Sequence, residues 1–113
     1  MRSVKLVPAA PVSPGDVLRK KILGLEVDGK KITQELLADA MRVSRFSINQ
    51  IINGRRSVTA EMALRLAKAL GTTPEFWLNL QREVDLHESR TKLKEKLERI
   101  EVLRLGTIKY KMI

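Results

Sequence analysis

The stretch Ser44–Arg56, SRFSINQIINGRR, decides how this chain is read. Wound as an α-helix, with each residue turned roughly 100° from the last, it gathers Ile48, Ile51 and Ile52 on one side. Arg45, Phe46, Asn49, Gln50 and Asn53 gather on the other. The isoleucine side is suited to burial. The second side is polar except for one large aromatic, and a phenylalanine displayed among arginine, asparagine and glutamine needs a physical reason.

Working outward from this helix, the pattern is helical almost throughout. Ser44 stands as its N-cap and Gly54 as the glycine that stops it. Before it, RVS reads as a tight turn, and TQELLADAM reads as a preceding helix that starts at Thr33 and carries Leu36, Leu37 and Ala40 at helical spacing. Still earlier, Ser13 and Pro14 open a first helix with Val17, Leu18, Ile22 and Leu25 as its stripe. GLEVDGKK, Gly24–Lys31, holds two glycines and four charges and reads as a loop between those helices. After Gly54, RRSV is a basic loop. Thr59 caps a fourth helix with Ala60, Ala63, Leu66, Ala67 and Leu70 as its stripe, and Gly71 ends it. Thr73 and Pro74 open a fifth helix whose bulky apolar residues are Phe76, Trp77 and Leu80. From Arg82 the chain becomes charge-rich. Leu86, Leu93, Leu97, Ile100 and Leu103 recur there at helical spacing, which predicts a sixth, amphipathic helix. GTIKYKMI, from Gly106, shows a short apolar/polar alternation that reads as a strand or an ordered tail.

The expected architecture is therefore all-α, a five-helix core with a C-terminal amphipathic helix. Residues 1–12 are an N-terminal arm, 13–81 the helical domain, and 82–113 a C-terminal helix and tail for packing or dimerisation. At 113 residues and 43% hydrophobic, the chain is long enough and apolar enough for one core. Its 22 Lys and Arg against 13 Asp and Glu leave a net charge of +9, which favours a polyanionic partner, nucleic acid before an anionic membrane. There is no cysteine, which excludes disulfide and thiolate chemistry and fits a reducing cytoplasm. No apolar run is long enough to span a bilayer, and the N-terminus lacks the sustained apolar stretch of a signal peptide.

The second and third helices with their short turn form a helix-turn-helix. A DNA major groove about 12 Å wide admits one α-helix, whose side chains must reach base edges, while the preceding helix meets the phosphate backbone. Arg45, Phe46, Asn49 and Gln50 project from the outer face of the third helix. Arginine pairs bidentately with guanine, glutamine or asparagine pairs with adenine, and phenylalanine lies against thymine methyls. The groove is thus a reason for Phe46 to be exposed. The alternatives are packing under the loop after the first helix or against a partner. Thr33 and Gln34 at the start of the second helix, and Asn53, Arg55 and Arg56 after the third, are placed for phosphates.

TQELLADAMRVSRFSINQIINGRR resembles the helix-turn-helix of the phage-repressor-like (Xre, lambda repressor-like) family. SPGDVLRKKIL, SVTAEMALRLAKALGTTPEFWLNLQREVDL and the order of these blocks resemble, more narrowly, the HigA-type antitoxins, also known as virulence-associated protein I. The resemblance runs from about Ser13 to Leu86. It implies a five-helix DNA-binding core, a homodimer on a palindromic operator, repression of its own toxin–antitoxin operon, and neutralisation of a HigB-like ribonuclease toxin of the RelE type. By match to the family's motif, groove-facing positions fall on Arg45, Phe46 and Gln50, with Ser44 and Ser47 close by, and a phosphate-contacting position falls on Gln34. The chain departs from the family in a longer loop after the first helix and in the segment beyond Leu86, so no toxin-binding residue is carried over.

Phe76 and Trp77 are adjacent on one helix and cannot both face the same core, so with Leu80 they are expected to divide between core and subunit interface. The stripe from Leu86 to Leu103 is expected to pack within the protomer or across a dimer, with toxin docking as the alternative. The only histidine, His87, has no metal-ligand neighbours, and no nucleophile–base pair or phosphate-cradling glycine loop is present. No catalysis, metal, cofactor, membrane or small-molecule ligand is therefore expected. Two rival readings stay open: a stand-alone regulator with no toxin partner, and a toxin-binding inhibitor with weak DNA specificity.

Overall fold

Every helix of the domain begins on a hydroxyl. The computed structural model describes residues 10–104, and in it Ser13, Thr33, Ser44, Thr59 and Thr73 each adopt extended backbone and accept a hydrogen bond from the third residue of the helix they precede. The expected N-terminal arm is described only from Ala10, and the tail Gly106–Ile113 lies outside the described residues.

Helix α1 (Pro14–Val17) opens with a reciprocal box in which Ser13 Oγ accepts from Asp16 N, and Ser13 N donates to the Asp16 carboxylate. That backbone N–H, helped by the Arg19 guanidinium and opposed by partial burial, holds the Asp16 carboxyl below its ordinary value of 3.8. The helix runs into a π-helical turn, Leu18–Ile22. Leu18 is fully buried, whereas Leu25, expected in the same stripe, lies beyond the helix and is exposed.

The segment expected as a loop is an antiparallel hairpin. Strand β1 (Glu26–Val27) pairs with β2 (Lys30–Lys31), in the register Glu26↔Lys31 and Val27↔Lys30. The turn residues Asp28 and Gly29 both have positive φ, 53° and 79°, the geometry that an Asp-Gly pair supplies. Further bonds from Gly24 N to Ile32 O and from Ile32 N to Leu25 O continue the ladder to the foot of helix α2 (Gln34–Met41).

Helix α2 buries Leu37, Ala38 and Met41. Leu36 and Ala40, read as part of its core stripe, instead line a shallow apolar groove with Val27, Ile32, Ala69 and Leu70. The stripe is rotated because α2 packs between helix α3 (Arg45–Ile52) and helix α4 (Ala60–Leu70), and this pair of neighbours decides which face is covered. α3 buries Ile48, Ile51 and Ile52, and α4 buries Ala63, Leu66 and Ala67.

The expected fifth and sixth helices are one. Helix α5 runs unbroken from Pro74 to Glu98, because no glycine or proline interrupts the sequence between them, and the division expected at residues 81/82 falls within it. Trp77 is fully buried and donates its indole N–H to Thr72 Oγ1 at 2.7 Å. Phe76 meets it edge-to-face, 5.0 Å between ring centroids, and remains half-exposed, while Leu80 packs against the core edge. From Glu88 onward every residue of the helix is exposed. Leu86, Leu93 and Leu97 are 38–46% exposed, so the leucine stripe does not pack within the protomer. Ile100 and Leu103 follow the end of the helix and are open to solvent.

Candidate nucleic-acid interface

The turn between α2 and α3 is three residues long, Arg42–Ser44. Arg42 ends α2 in the left-handed region, φ 58°, a conformation that costs a non-glycine residue and must be held by its surroundings. Arg65 of α4 holds it, donating to Met41 O at 2.8 Å and Arg42 O at 3.3 Å, while Glu61 accepts from the same guanidinium. The orphan carbonyls at the end of α2 are thereby satisfied by a cation, which also suits the negative end of the helix dipole.

Two further supports hold α3 from behind and below. Gly15 sits so close to its last turn that a Cβ there would stand 2.5 Å from Ile51 O and 2.7 Å from Ile52 O, and Arg19 donates to Ile52 O. After α3, Gln81 of α5 accepts from Val58 N at 2.9 Å and donates to Ser57 Oγ and Asp85 Oδ1. These bonds fix the loop that carries Arg55 and Arg56.

On this frame the expected site residues separate into two sets. Arg45, Phe46, Gln50 and Arg55 make no side-chain hydrogen bond to protein among the described residues, and Arg45, Phe46 and Arg55 are exposed. Phe46 is 63% exposed and is not covered by the hairpin, which removes packing under that segment as its role. The second set is tied together. Ser44 Oγ accepts from Ser47 N and shares a hydrogen bond with Ser47 Oγ, which also accepts from Arg56 at 2.9 Å. Arg56 is thus drawn back over the first turn of α3 and does not hang from its loop. Asn53 donates to Asn49, and Asn49 donates to Gln34 of α2. Thr33 accepts from Leu36 N as the cap of α2. Phe76, Trp77 and Leu80 lie on α5, away from this face.

Sequence reasoning missed Gly15, Arg19, Arg65 and Gln81. A glycine inside a capped first turn was a signal that could have been used for Gly15. For Arg65 and Gln81 no local signal exists, since each acts on a segment more than twenty residues away.

The face therefore presents an exposed arginine and aromatic and a half-buried glutamine, without side-chain hydrogen-bond partners among the described residues, on a helix of a diameter that the major groove admits. A helix-turn-helix family model matches residues 27–77, from the last residue of β1 through α2 to the start of α5. The chain is 42% identical over 93 residues to antitoxin HigA-1 of Vibrio cholerae, covering 82% of this chain and 84% of that one. The chain belongs to the HigA-type branch of the Xre-like helix-turn-helix family. It is also 42% identical to the helix-turn-helix-type transcriptional regulator YbaQ of Escherichia coli, over 88% of this chain and 87% of that one. Among solved structures, it superposes with TM-score 0.73 and 35% identity on the Pseudomonas aeruginosa antitoxin HigA bound to the higBA promoter, over 83% of this chain and 99% of that chain. HigA-type proteins are DNA-binding regulators and not enzymes. No described helix of this chain is long and apolar enough to cross a membrane.

Proposed function

We propose that the protein is an operator-binding repressor that acts as the antitoxin of a toxin–antitoxin pair. α3 lies in the major groove, with Arg45 and Gln50 on base edges and Phe46 against thymine methyls, while Gln34, Arg55 and Arg56 engage phosphates. The observation that carries this reading is the row Arg45, Phe46 and Gln50, without side-chain hydrogen-bond partners among the described residues, beside Ser47 and Asn49, whose side chains are bonded within the protein. A two-fold dimer places two such helices on a palindromic operator, with half-sites about one helical turn apart or a multiple of it. The repressor works in the cytoplasm and neutralises a HigB-like ribonuclease toxin of the RelE type. Toxin binding and operator occupancy are linked, because the chain has no chemistry of its own.

The test is fluorescence anisotropy on the duplex immediately upstream of the gene and on the same bases scrambled, at low and near-physiological salt. Wild type should prefer the upstream duplex about a thousand-fold or more. Arg45→Ala should lose about 1–3 kcal/mol on it with relaxed preference at one base pair, whereas Arg55→Ala should weaken all duplexes alike and flatten the salt slope by about one. Equal binding of both duplexes refutes the sequence-reading role.

The likeness to YbaQ, as high as that to HigA-1, favours one second reading, a stand-alone regulator of the same fold. Co-expression with the products of the adjacent genes separates the two: a small basic ribonuclease that co-purifies and loses activity in the complex supports the antitoxin, and free operator binding with no such partner supports the regulator.

A further inference from the structure

Three side-chain amides form a chain across the interface. Asn53 Nδ2 donates to Asn49 Oδ1 at 3.1 Å, and Asn49 Nδ2 donates to Gln34 Oε1 at 3.3 Å. Asn49, half-buried at the seam of α2 and α3, therefore spends its acceptor and one of its donors inside the protein. Reading adenine needs an asparagine oxygen for the base N6–H and an amide hydrogen for N7 at the same time. The chain of amides also has a direction. As it runs, both hydrogens of Gln34 Nε2 are left without a protein partner among the described residues, at the first position of α2. Reversing all three amides would leave Gln34 presenting its oxygen, an acceptor facing the acceptor oxygens of a phosphate.

We propose that Asn49 is a positioning residue: it locks the Gln34 amide with its N–H groups toward a DNA phosphate, and it does not read a base. This rests on the DNA-reading function proposed above. The relay joins residues 15 apart in sequence and 4 apart along α3, so the phosphate anchor on α2 and the reading helix are held as one unit. Specificity is then left to Arg45, Phe46 and Gln50, whose side chains are not engaged.

The experiment is anisotropy with the upstream duplex and a set of single-base-pair variants of it, at several salt concentrations, for wild type, Asn49→Ala, Gln34→Ala and the double variant. Asn49→Ser, too short to span to Gln34, serves as a second variant should the alanine protein melt early. Loss of the fixed orientation of one amide-to-phosphate hydrogen bond weakens every duplex about three- to tenfold. The ranking of base-pair variants and the salt slope stay as in wild type, since no ionic contact is lost. The double variant binds no more weakly than Gln34→Ala alone. Relaxed preference at one base pair in Asn49→Ala or Asn49→Ser, or losses that multiply in the double variant, overturn the relay while leaving the DNA-reading function standing. A wild type that binds upstream and scrambled duplexes equally overturns that function, and the relay with it.

Discussion

Gly15→Ala is a substitution that helix propensity favours and packing forbids. Alanine inside a helix is better than glycine by about 1 kcal/mol. Against this, the added Cβ would stand 2.5 Å and 2.7 Å from the Ile51 and Ile52 carbonyl oxygens, where real Cβ contacts stay beyond 3.0 Å. A crowded side chain could swing aside, but the carbonyls that end α3 cannot. α1 must withdraw by about 0.5 Å, the difference between 3.0 and 2.5 Å. Leu18, fully buried on the adjoining turn, then loses about a quarter of its dispersion on that side, and the Arg19 bond to Ile52 O stretches. Overpacking of this kind costs about 1–3 kcal/mol, and two backbone contacts put it near the upper end. The net loss is about 2 kcal/mol, or a melting temperature lower by roughly 8 °C for a domain this size. Thermal unfolding followed by far-ultraviolet circular dichroism measures it, with Ser89→Ala on exposed α5 as a control that should melt at or slightly above wild type. A Gly15→Ala protein as stable as wild type would show that α1 is not seated on α3 as described.

Other perturbations test separate parts of the frame. Trp77→Ala should destabilise by about 3–5 kcal/mol in urea unfolding, and Thr72→Val, which strips the buried indole N–H of its acceptor, by about 1–3 kcal/mol. Arg65→Ala leaves the Met41 and Arg42 carbonyls unpaired and should cost about 1–2 kcal/mol in the same assay, while Glu61→Ala, which removes only an exposed ion pair, should cost less than 1 kcal/mol. Because the folded state holds the Asp16 carboxyl below 3.8, its stabilisation is present above that pH and is lost as pH falls through the folded value. Asp16→Asn should therefore melt below wild type at neutral pH, with the gap closing in acid below about pH 3.8; a gap that persists there would place the effect elsewhere than in the charge.

Local chemistry made much of this fold legible. Five hydroxyl caps and the glycines after α3 and α4 mark helix ends within a residue or two, because a cap is a bond between near neighbours in sequence. The burial of Ile48, Ile51 and Ile52 followed from their spacing alone. The hairpin is legible in Val27-Asp28-Gly29-Lys30, which carries the Asp-Gly turn signal, although the two glycines and four charges of 24–31 fit a solvated loop as well. The rotated stripe of α2 was not legible, since Leu36 and Leu37 are equally apolar and only the placement of α4 chooses between them. The continuity of α5 is legible only in the absence of glycine and proline between Glu75 and Glu98, because the change of composition at Arg82 resembles a boundary that helices in fact cross freely. At the interface, the exposed aromatic and its polar neighbours were visible on a helical wheel. Which of them are bonded to one another was not, because the Asn49–Gln34 bond depends on where α2 lies against α3 and the Arg56–Ser47 bond on how the following loop folds back.

The placement of the single tryptophan gives the molecule a built-in optical probe. Its indole is shielded from water in the core, behind the outward face of α3, and bonded through its nitrogen to Thr72. Its emission belongs at the short-wavelength end for indoles and should move to the red only when the domain opens. Adding duplex DNA leaves that colour in place, while unfolding changes it, so one cuvette without any attached dye distinguishes a chain that has bound from one that has come apart.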